Sequence, residues 1–356
     1  MQAAPGQLVS GRYRVTDRPT GAGLPAQDVH TGAPVLLHAL DLPELLVPGQ
    51  LYDEPDPREG HRLAERVAAA AERAPRHPRL LVEPGAAAEQ GVLWIASERL
   101  AGAPLAELAG AGPVPPYRVA ELAADLAGAL RALHEVGTTH GNVTADAVTV
   151  CEDGAAMLGG LLLGTAEEAL CEELGGGVPH RLYEVRADLL GPRAERWPAD
   201  AGPPADCWAL GVLLYRLLTG HGPYPEGDLP TLLAAVRDGR RYPADGCGPL
   251  RGLVEELLDL GPEARPTAAA VQQRLRALLA GAPEPFGPTE ETPLLPVPRP
   301  AGPVVPHPRG RARGEGRLPV PRGPSRVPPA LLGPLLVGGV MLALLAALAA
   351  VVLTAG

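Results

Sequence analysis

The sequence predicts an α+β fold of two lobes, a small β-rich lobe over residues 8–100 and a larger helical lobe over residues 101–280. Two patterns lead to this prediction. Short β-like segments are concentrated in the first hundred residues, and helical periodicity dominates from Tyr117 onward. A Pro-, Gly- and Arg-rich stretch and then an uncharged apolar segment follow, so we expect a linker and a membrane segment after the two lobes.

The small lobe is expected to form a sheet with one helix. Three segments rich in β-favouring residues predict strands at 11–15, 33–40 and 91–96. An Ala-rich run over residues 61–73 lies between the last two and predicts a helix.

The large lobe is expected to be mainly helical. One amphipathic helix is predicted by apolar residues at a spacing close to 3.6, namely Val119, Leu122, Leu126, Leu130 and Leu133. Residues 208–218 are apolar nearly all round, which is typical of a helix at the centre of a domain. Pro266 and Thr267 open a last helix that we expect to end near Gly281.

Residues 281–329 are dense in Pro, Gly and Arg, cannot bury enough apolar surface to offset the cost of ordering, and predict an extended linker. Residues 330–355 carry no charge. A helix of about 20 such residues crosses the hydrocarbon core of a bilayer, so a transmembrane helix is favoured over a buried core helix. Arginines precede this segment and none follows, so the positive-inside rule predicts a single-pass protein of the cell membrane with its N-terminal part in the cytoplasm.

Composition argues against several other classes of function. The formal net charge of −10 repels nucleic-acid phosphates, so no nucleic-acid partner is expected. The four cysteines are far apart and lack zinc-site spacing, so no metal is expected. The chain contains no lysine, and Asn142 is its only asparagine.

Three motifs, which follow one another along the chain in the order that the family has them, carry a family resemblance. Residues 206–220 read aspartate, any residue, tryptophan, any residue, leucine and glycine, followed by an apolar run and Thr-Gly. Residues 139–142, Thr-His-Gly-Asn, follow the amphipathic helix, and residues 263–267 end in Arg-Pro-Thr. Over residues 8–280 the chain resembles the bacterial eukaryotic-like Ser/Thr protein kinase family, which implies the two-lobed kinase fold.

The resemblance also implies that the kinase chemistry is missing. Phosphoryl transfer needs a lysine on the phosphates, an aspartate and an asparagine on magnesium, and an aspartate that accepts the hydroxyl proton. The residues at the family's phosphate lysine, proton-accepting aspartate, loop lysine, magnesium asparagine and magnesium aspartate are His38, Asn142, Thr144, Ala147 and Gly160. We therefore expect no catalytic residue and no metal ligand in this chain.

A weak nucleotide cleft stays open as a hypothesis. Gly21 and Gly23 form a shortened version of the family's phosphate-covering loop, although a plain turn is the favoured interpretation. Glu98 and Leu100 stand at the family's adenine-binding hinge. No cofactor is expected, except ATP bound without turnover.

Other family positions keep residues of the framework. His140 resembles the structural histidine of the catalytic loop, Asp206 the aspartate that holds the loop backbone, and Arg265 the buried arginine, for which Glu195 is a candidate partner. The helix that corresponds to the family's helix C contains Glu65 and Glu72, which we expect to be solvated charges.

The favoured function is an inactive kinase-like scaffold that docks cytoplasmic signalling proteins at the membrane, in cell-envelope signalling. The resemblance suggests forkhead-associated phosphothreonine readers as partners, and Thr289 and Thr292 in the linker are candidate phosphorylation sites. Two alternatives are an active kinase that uses Asp146 as a displaced metal ligand and a nucleotide sensor without turnover.

Overall fold

A six-stranded antiparallel sheet forms the small lobe. In spatial order its strands are β1 (Leu8–Val9), β2 (Tyr13–Val15), β3 (Leu24–Asp28), β4 (Pro34–Asp41), β6 (Val92–Glu98) and β5 (Gly85–Glu89). The computed structural model describes residues 3–20, 23–42, 57–175, 202–225 and 227–282, all within one unit, Met1–Pro285.

Strand β6 is apolar along its length because both of its faces are covered. Val92, Trp94 and Ala96 join the cluster formed by the sheet itself. Leu93 and Ile95 point the opposite way, toward helices, as the two-residue period of a strand requires. The predicted strands at 33–40 and 91–96 are confirmed, and the strand predicted at 11–15 is shorter, at Tyr13–Val15.

Helix α1 (Pro57–Arg73) packs on the second face of β6. Its buried residues are Leu63, Ala64, Val67 and Ala70. The helix predicted at 61–73 is therefore confirmed and begins four residues earlier. Glu65 and Glu72 are both exposed, as expected for solvated charges.

In the part of the chain that the structure describes, the large lobe contains four helices of 13 to 20 residues together with shorter ones. Its helices are α2 (Leu105–Gly110), α3 (Pro116–Glu135), α4 (Leu161–Gly175), α5 (Pro203–Thr219), α6 (Leu229–Arg237), α7 (Arg251–Leu257) and α8 (Ala268–Ala280). Helix α5 lies in the core with Trp208 and Tyr215 buried, and α3 and α8 pack on the same cluster. Thr267 caps α8, since its hydroxyl accepts the N–H of Ala270.

A second sheet of three strands lies in the large lobe: β7 (Gly102–Pro104), β8 (Val148–Cys151) and β9 (Ala156–Leu158). The loop 139–147 precedes β8, and α4 follows β9. The α+β class predicted from the sequence is confirmed, and the fold is consistent with a kinase-like one. The described residues include no helix of the length and apolarity that a bilayer span requires, and residues 281–329 and 330–355 lie almost wholly outside them.

Candidate functional site

The loop 139–147 is tied to the large lobe by Asp206. This residue lies in the first turn of α5 and is 1% exposed. Its Oδ2 accepts the backbone N–H of His140 and its Oδ1 that of Gly141, each at 2.8 Å. His134 at the end of α3 adds its Nε2, 2.8 Å from Oδ2. Because two of these contacts hold backbone N–H groups of the loop, Asp206 positions this loop.

His140 is fully buried, and its Nδ1 accepts the backbone N–H of Asn142 at 3.1 Å. Burial lowers the pKa of its imidazole to about 4, although the Asp206 charge opposes this shift. The ring is therefore neutral at pH 7 and braces the loop without contributing a charge.

Asn142 and Gly160 are in direct contact. The side-chain amide Nδ2 of Asn142 donates to the carbonyl oxygen of Gly160 at 3.4 Å. Gly160 has φ +79°, and a Cβ on it would lie only 2.7 Å from that Nδ2. The position of the family's proton acceptor thus holds a donor, and it faces a residue with no side chain where the family has a metal-binding aspartate.

The remaining loop positions serve local structure. Thr144 is buried, and its hydroxyl accepts the N–H of Ala147 at 3.2 Å. The carbonyl of Ala147 accepts the N–H of Gly159 at 2.8 Å. Asp146, the candidate for a displaced ligand, is exposed. The two magnesium positions that the family resemblance assigns, Ala147 in this loop and Gly160 after β9, therefore present no carboxylate.

His38 lies on β4 and contacts β6, with its Nε2 3.3 Å from the hydroxyl of Ser97. Burial lowers the pKa of this imidazole. At pH 7 the ring is neutral, so the position of the family's lysine carries no fixed positive charge.

Thr20 and Gly23 flank the first part of the glycine-rich loop. Thr20 and Gly23 exchange backbone hydrogen bonds of 2.8 and 3.1 Å, and only two residues separate them. Gly23 lies over the strand below, since a Cβ there would be 3.1 Å from the Leu37 oxygen and 3.3 Å from His38 Cε1. Gly21 is outside the described residues. Gly23 therefore lies directly beside His38, the residue at the position of the family's phosphate lysine.

The hinge positions lie where β6 ends. Glu98 is exposed and its backbone N–H donates to Val82 at 2.9 Å, while Leu100 is half-buried. The backbone N–H of Glu98 is thus already engaged by the protein itself.

Glu83 is a site residue that the sequence analysis missed. It lies on the segment between α1 and β5 and is 9% exposed. Its Oε1 accepts the backbone N–H of Gly160 and its Oε2 that of Leu162, each at 2.7 Å. Burial raises the pKa of this carboxyl to about 7, against the opposing effect of these N–H groups. The only sequence signal is a charged residue inside an apolar run, residues 80–83.

Helix α4 lies against the loop 139–147 in its first turn. A Cβ on Gly164 would overlap the carbonyl oxygen of His140 and lie 3.1 Å from the nitrogen of Asn142. The same helix packs on α1 and β6 through Leu162, Ala166, Ala169 and Leu170. A cavity of about 10 Å³, room for roughly one water molecule, is lined by Asn142, Thr144, Asp206 and Ala209.

Arg265 is 6% exposed and its guanidinium donates to the carbonyl oxygens of Pro204, Asp259 and Leu260. It also lies over the ring of Trp208, 5.0 Å from the centroid. Glu195, its expected partner, lies outside the described residues, as do Thr289 and Thr292.

The donor groups at these positions do not fit a magnesium–triphosphate complex. An amide, a glycine, an alanine and a neutral histidine stand at the family's ligand and phosphate positions. Among the described residues no three His, Cys, Asp or Glu side chains are grouped as metal ligands. We derive no catalytic step through such a complex.

Comparison with known proteins gives partial matches. No protein-family model matches the chain. It is 31% identical over 145 residues to the serine/threonine-protein kinase PknL of Mycobacterium tuberculosis, a match that covers 40% of this chain and 35% of PknL. It is 29% identical over 171 residues to PkaA of Streptomyces coelicolor (48% and 31% covered) and 25% identical over 201 residues to PAK 4 of Mus musculus (54% and 32%).

The matches thus span about a third of the length of these curated relatives. All three are serine/threonine-protein kinases by name. Together with the α+β fold, they support a kinase-like family for this chain.

Proposed function

We propose that this chain is a catalytically inactive kinase-like module that serves as a docking or regulatory scaffold on the cytoplasmic face of the cell membrane. One observation carries the proposal. Asn142 stands at the position of the family's proton acceptor, and its side-chain amide donates a hydrogen bond to the carbonyl oxygen of Gly160.

The chemistry of the neighbouring groups supports inactivity. A general base must be able to take a proton, and an amide cannot. Charge neutralisation of a triphosphate needs a cation and metal ligands, whereas His38 is half-buried and neutral and Gly160 has no side chain. Asp146, the displaced ligand of the alternative hypothesis, is exposed.

The membrane and docking parts of the proposal rest on the sequence. The uncharged segment 330–355 and the arginines before it support a single-pass anchor. Thr289 and Thr292 stand beside acidic residues in a linker composition, and phosphate there would offer a charged handle to a forkhead-associated reader. Signalling at the cell envelope is the setting that we propose.

A nucleotide-binding assay separates the scaffold from the nucleotide-sensor alternative. The full chain is melted with and without ATP, each with and without magnesium. A ligand that binds the folded chain must raise its melting temperature. Because the scaffold proposal expects no ATP binding, we expect the melting temperature to be unchanged. A rise that saturates with ATP would favour the sensor.

Phosphorylation of the linker tests the docking part. Mass spectrometry of the protein isolated from its own cells is expected to find phosphate on Thr289 or Thr292. Finding both threonines unmodified under every growth condition would remove the phosphothreonine-reader partner. A double variant with Thr289→Ala and Thr292→Ala cannot carry phosphate at either position and is the matched control.

A further inference from the structure

The two edge strands of the six-stranded sheet meet at one hydrogen-bonded contact. Strands β1 and β5 are the outermost strands in the spatial order of the sheet. Ser10 directly follows β1, yet its backbone N–H donates to Oε2 of Glu89, the last residue of β5, at 2.7 Å. The Ser10 hydroxyl lies 3.5 Å from the same oxygen. The sheet is therefore curled so far that its two edges come together.

A cavity of about 40 Å³ lies beside this contact. At roughly 10–15 Å³ for one water molecule, it has room for a group of a few non-hydrogen atoms. Part of its lining comes from the apolar cluster inside the curled sheet, namely Val9, Val92 and Trp94. The polar residues of the lining are Gln7, Glu89 and Gln90. The lining thus combines an aromatic residue, one carboxylate and two amides, and it contains no cation.

The carboxylate of Glu89 keeps an acceptor for a ligand. Both contacts from Ser10 use Oε2, and no described residue donates a hydrogen bond to Oε1. Within the described part of the chain no arginine or histidine forms an ion pair with this carboxylate. Glu89 is also half-buried, so a cation that reaches it gains more than it would at a fully exposed carboxylate.

The backbone at this contact adopts an unusual conformation. Among the described residues, the non-glycine residues with positive φ are Ser10 at 51° and Gln90 at 52°. Gln90 and Gly91 form the two-residue turn between β5 and β6, where asparagine, aspartate or glycine is the ordinary choice before the glycine. Residues in this region persist where the surrounding structure holds them, and they are concentrated at functional sites. The backbone that carries Glu89 and Gln90 is therefore fixed in place beside the cavity.

We propose that this cavity binds the guanidinium group of an arginine side chain that a partner protein presents. A guanidinium is planar, permanently charged and rich in N–H donors, and it binds well over an indole ring. Trp94 supplies the ring, Oε1 of Glu89 the opposite charge and the amide of Gln90 a further acceptor. An anion would be repelled by Glu89, and an apolar group would strip water from that carboxylate without replacing it.

The cavity shares no residue with the loop 139–147 or with His38. It gives the scaffold a docking point for a partner, and in that respect it rests on the proposed function. Binding of a small arginine probe does not depend on whether the cleft transfers phosphate. The two proposals can therefore fail separately.

Fluorine NMR of the full chain in detergent micelles provides the test. Incorporation of fluorotryptophan labels the three tryptophans, Trp94, Trp197 and Trp208, and the variant Trp94→Phe assigns the signal of Trp94. The probe is N-acetylarginine amide, and its control is N-acetylcitrulline amide, which has nearly the same shape without the charge. We expect the arginine probe to shift the Trp94 signal saturably at millimolar concentration, and the citrulline probe to bind at least about tenfold more weakly. No saturable shift of Trp94, or equal binding of the two probes, overturns the proposal.

Two charge variants locate the binding on Glu89. Glu89→Gln removes the charge and keeps an oxygen that can accept the N–H of Ser10. Glu98→Gln on β6 removes an exposed charge and is the matched control. We expect the arginine probe to bind about tenfold more weakly or worse to Glu89→Gln and unchanged to Glu98→Gln. Unchanged binding to a folded Glu89→Gln protein overturns the proposal.

If Glu89→Gln loses the fold of the small lobe, Ala3→Leu provides the decision. Ala3 lines the cavity and is buried, so leucine there fills the space and leaves Glu89 intact. Loss of the Trp94 shift in this variant supports the site, and unaltered binding of the arginine probe overturns it.

Discussion

Gly164 in the first turn of α4 lies flush against the carbonyl oxygen of His140, so close that a Cβ would overlap it. The helix after β9 and the loop that corresponds to a kinase catalytic loop are therefore packed backbone against backbone. Only glycine fits a contact of this kind. The packing of α4 on the loop therefore depends on the residue at position 164.

Replacing Gly164 by alanine is expected to destabilise the chain by roughly 1–3 kcal/mol, because the obstructing atoms are backbone and cannot move aside. Denaturant unfolding measures the change. Gly252→Ala in α7 is the matched control, since no atom lies within 4 Å of a Cβ there and alanine is the better helix former. Equal stability of the two variants would show that α4 does not pack on the loop.

Asp206→Asn is expected to cost about 2–4 kcal/mol, because the new amide would oppose the backbone donors of His140 or Gly141 in a buried position. Urea unfolding at pH 7 provides the measurement. The exposed Asp146→Asn should lie within about 0.5 kcal/mol of wild type. A cost for Asp206→Asn no greater than that of this control would contradict the framework role of the residue.

The buried Glu83 should make stability depend on pH. Its carboxyl has a pKa of about 7 in the folded chain and an ordinary value of 4.5. The folded chain binds this proton more tightly, so the contribution is fully present below the ordinary pKa and is lost as pH rises through 7. Relative to Glu83→Gln, we expect wild type to lose roughly 3 kcal/mol between pH 4.5 and 8. A pH-independent difference would indicate that the carboxyl is solvated.

The buried His140 should make stability depend on pH in the direction opposite to that of Glu83. Burial lowers the pKa of its imidazole to about 4 from 6.5, so its contribution is present above the ordinary pKa and is lost as pH falls toward 4. The advantage of wild type over His140→Asn is expected to shrink by roughly 3 kcal/mol between pH 7 and 4. Because this window overlaps that of Glu83, the two effects partly cancel in wild type, and only the paired comparisons resolve them.

The sequence predicts most of the elements that position the site. The 3.6-residue spacing of Leu122, Leu126 and Leu130 corresponds to α3, the apolar run from Trp208 corresponds to α5, and the cap at Thr267 opens α8. These features are local, so periodicity and capping chemistry are enough to find them.

The contacts of Glu83 and Gly164 could not be predicted from periodicity or capping patterns. Glu83 stands 77 residues before its partner Gly160, and nothing in the surrounding apolar run distinguishes a buried helix cap from an exposed charge. The sequence around Gly164 gives no signal either, because a single glycine in a helix does not indicate which backbone it approaches. Both contacts depend on tertiary packing that no local pattern encodes.

The central claim is that the kinase-like cleft does not transfer phosphate. The most direct measurement incubates the purified full chain, free of host kinases, with γ-labelled ATP, magnesium and a general protein substrate, beside Asp146→Ala. We predict no label on chain or substrate above the level of a protein-free control, for either protein. Magnesium-dependent labelling by wild type that Asp146→Ala abolishes would contradict the account and establish an active kinase with a displaced ligand.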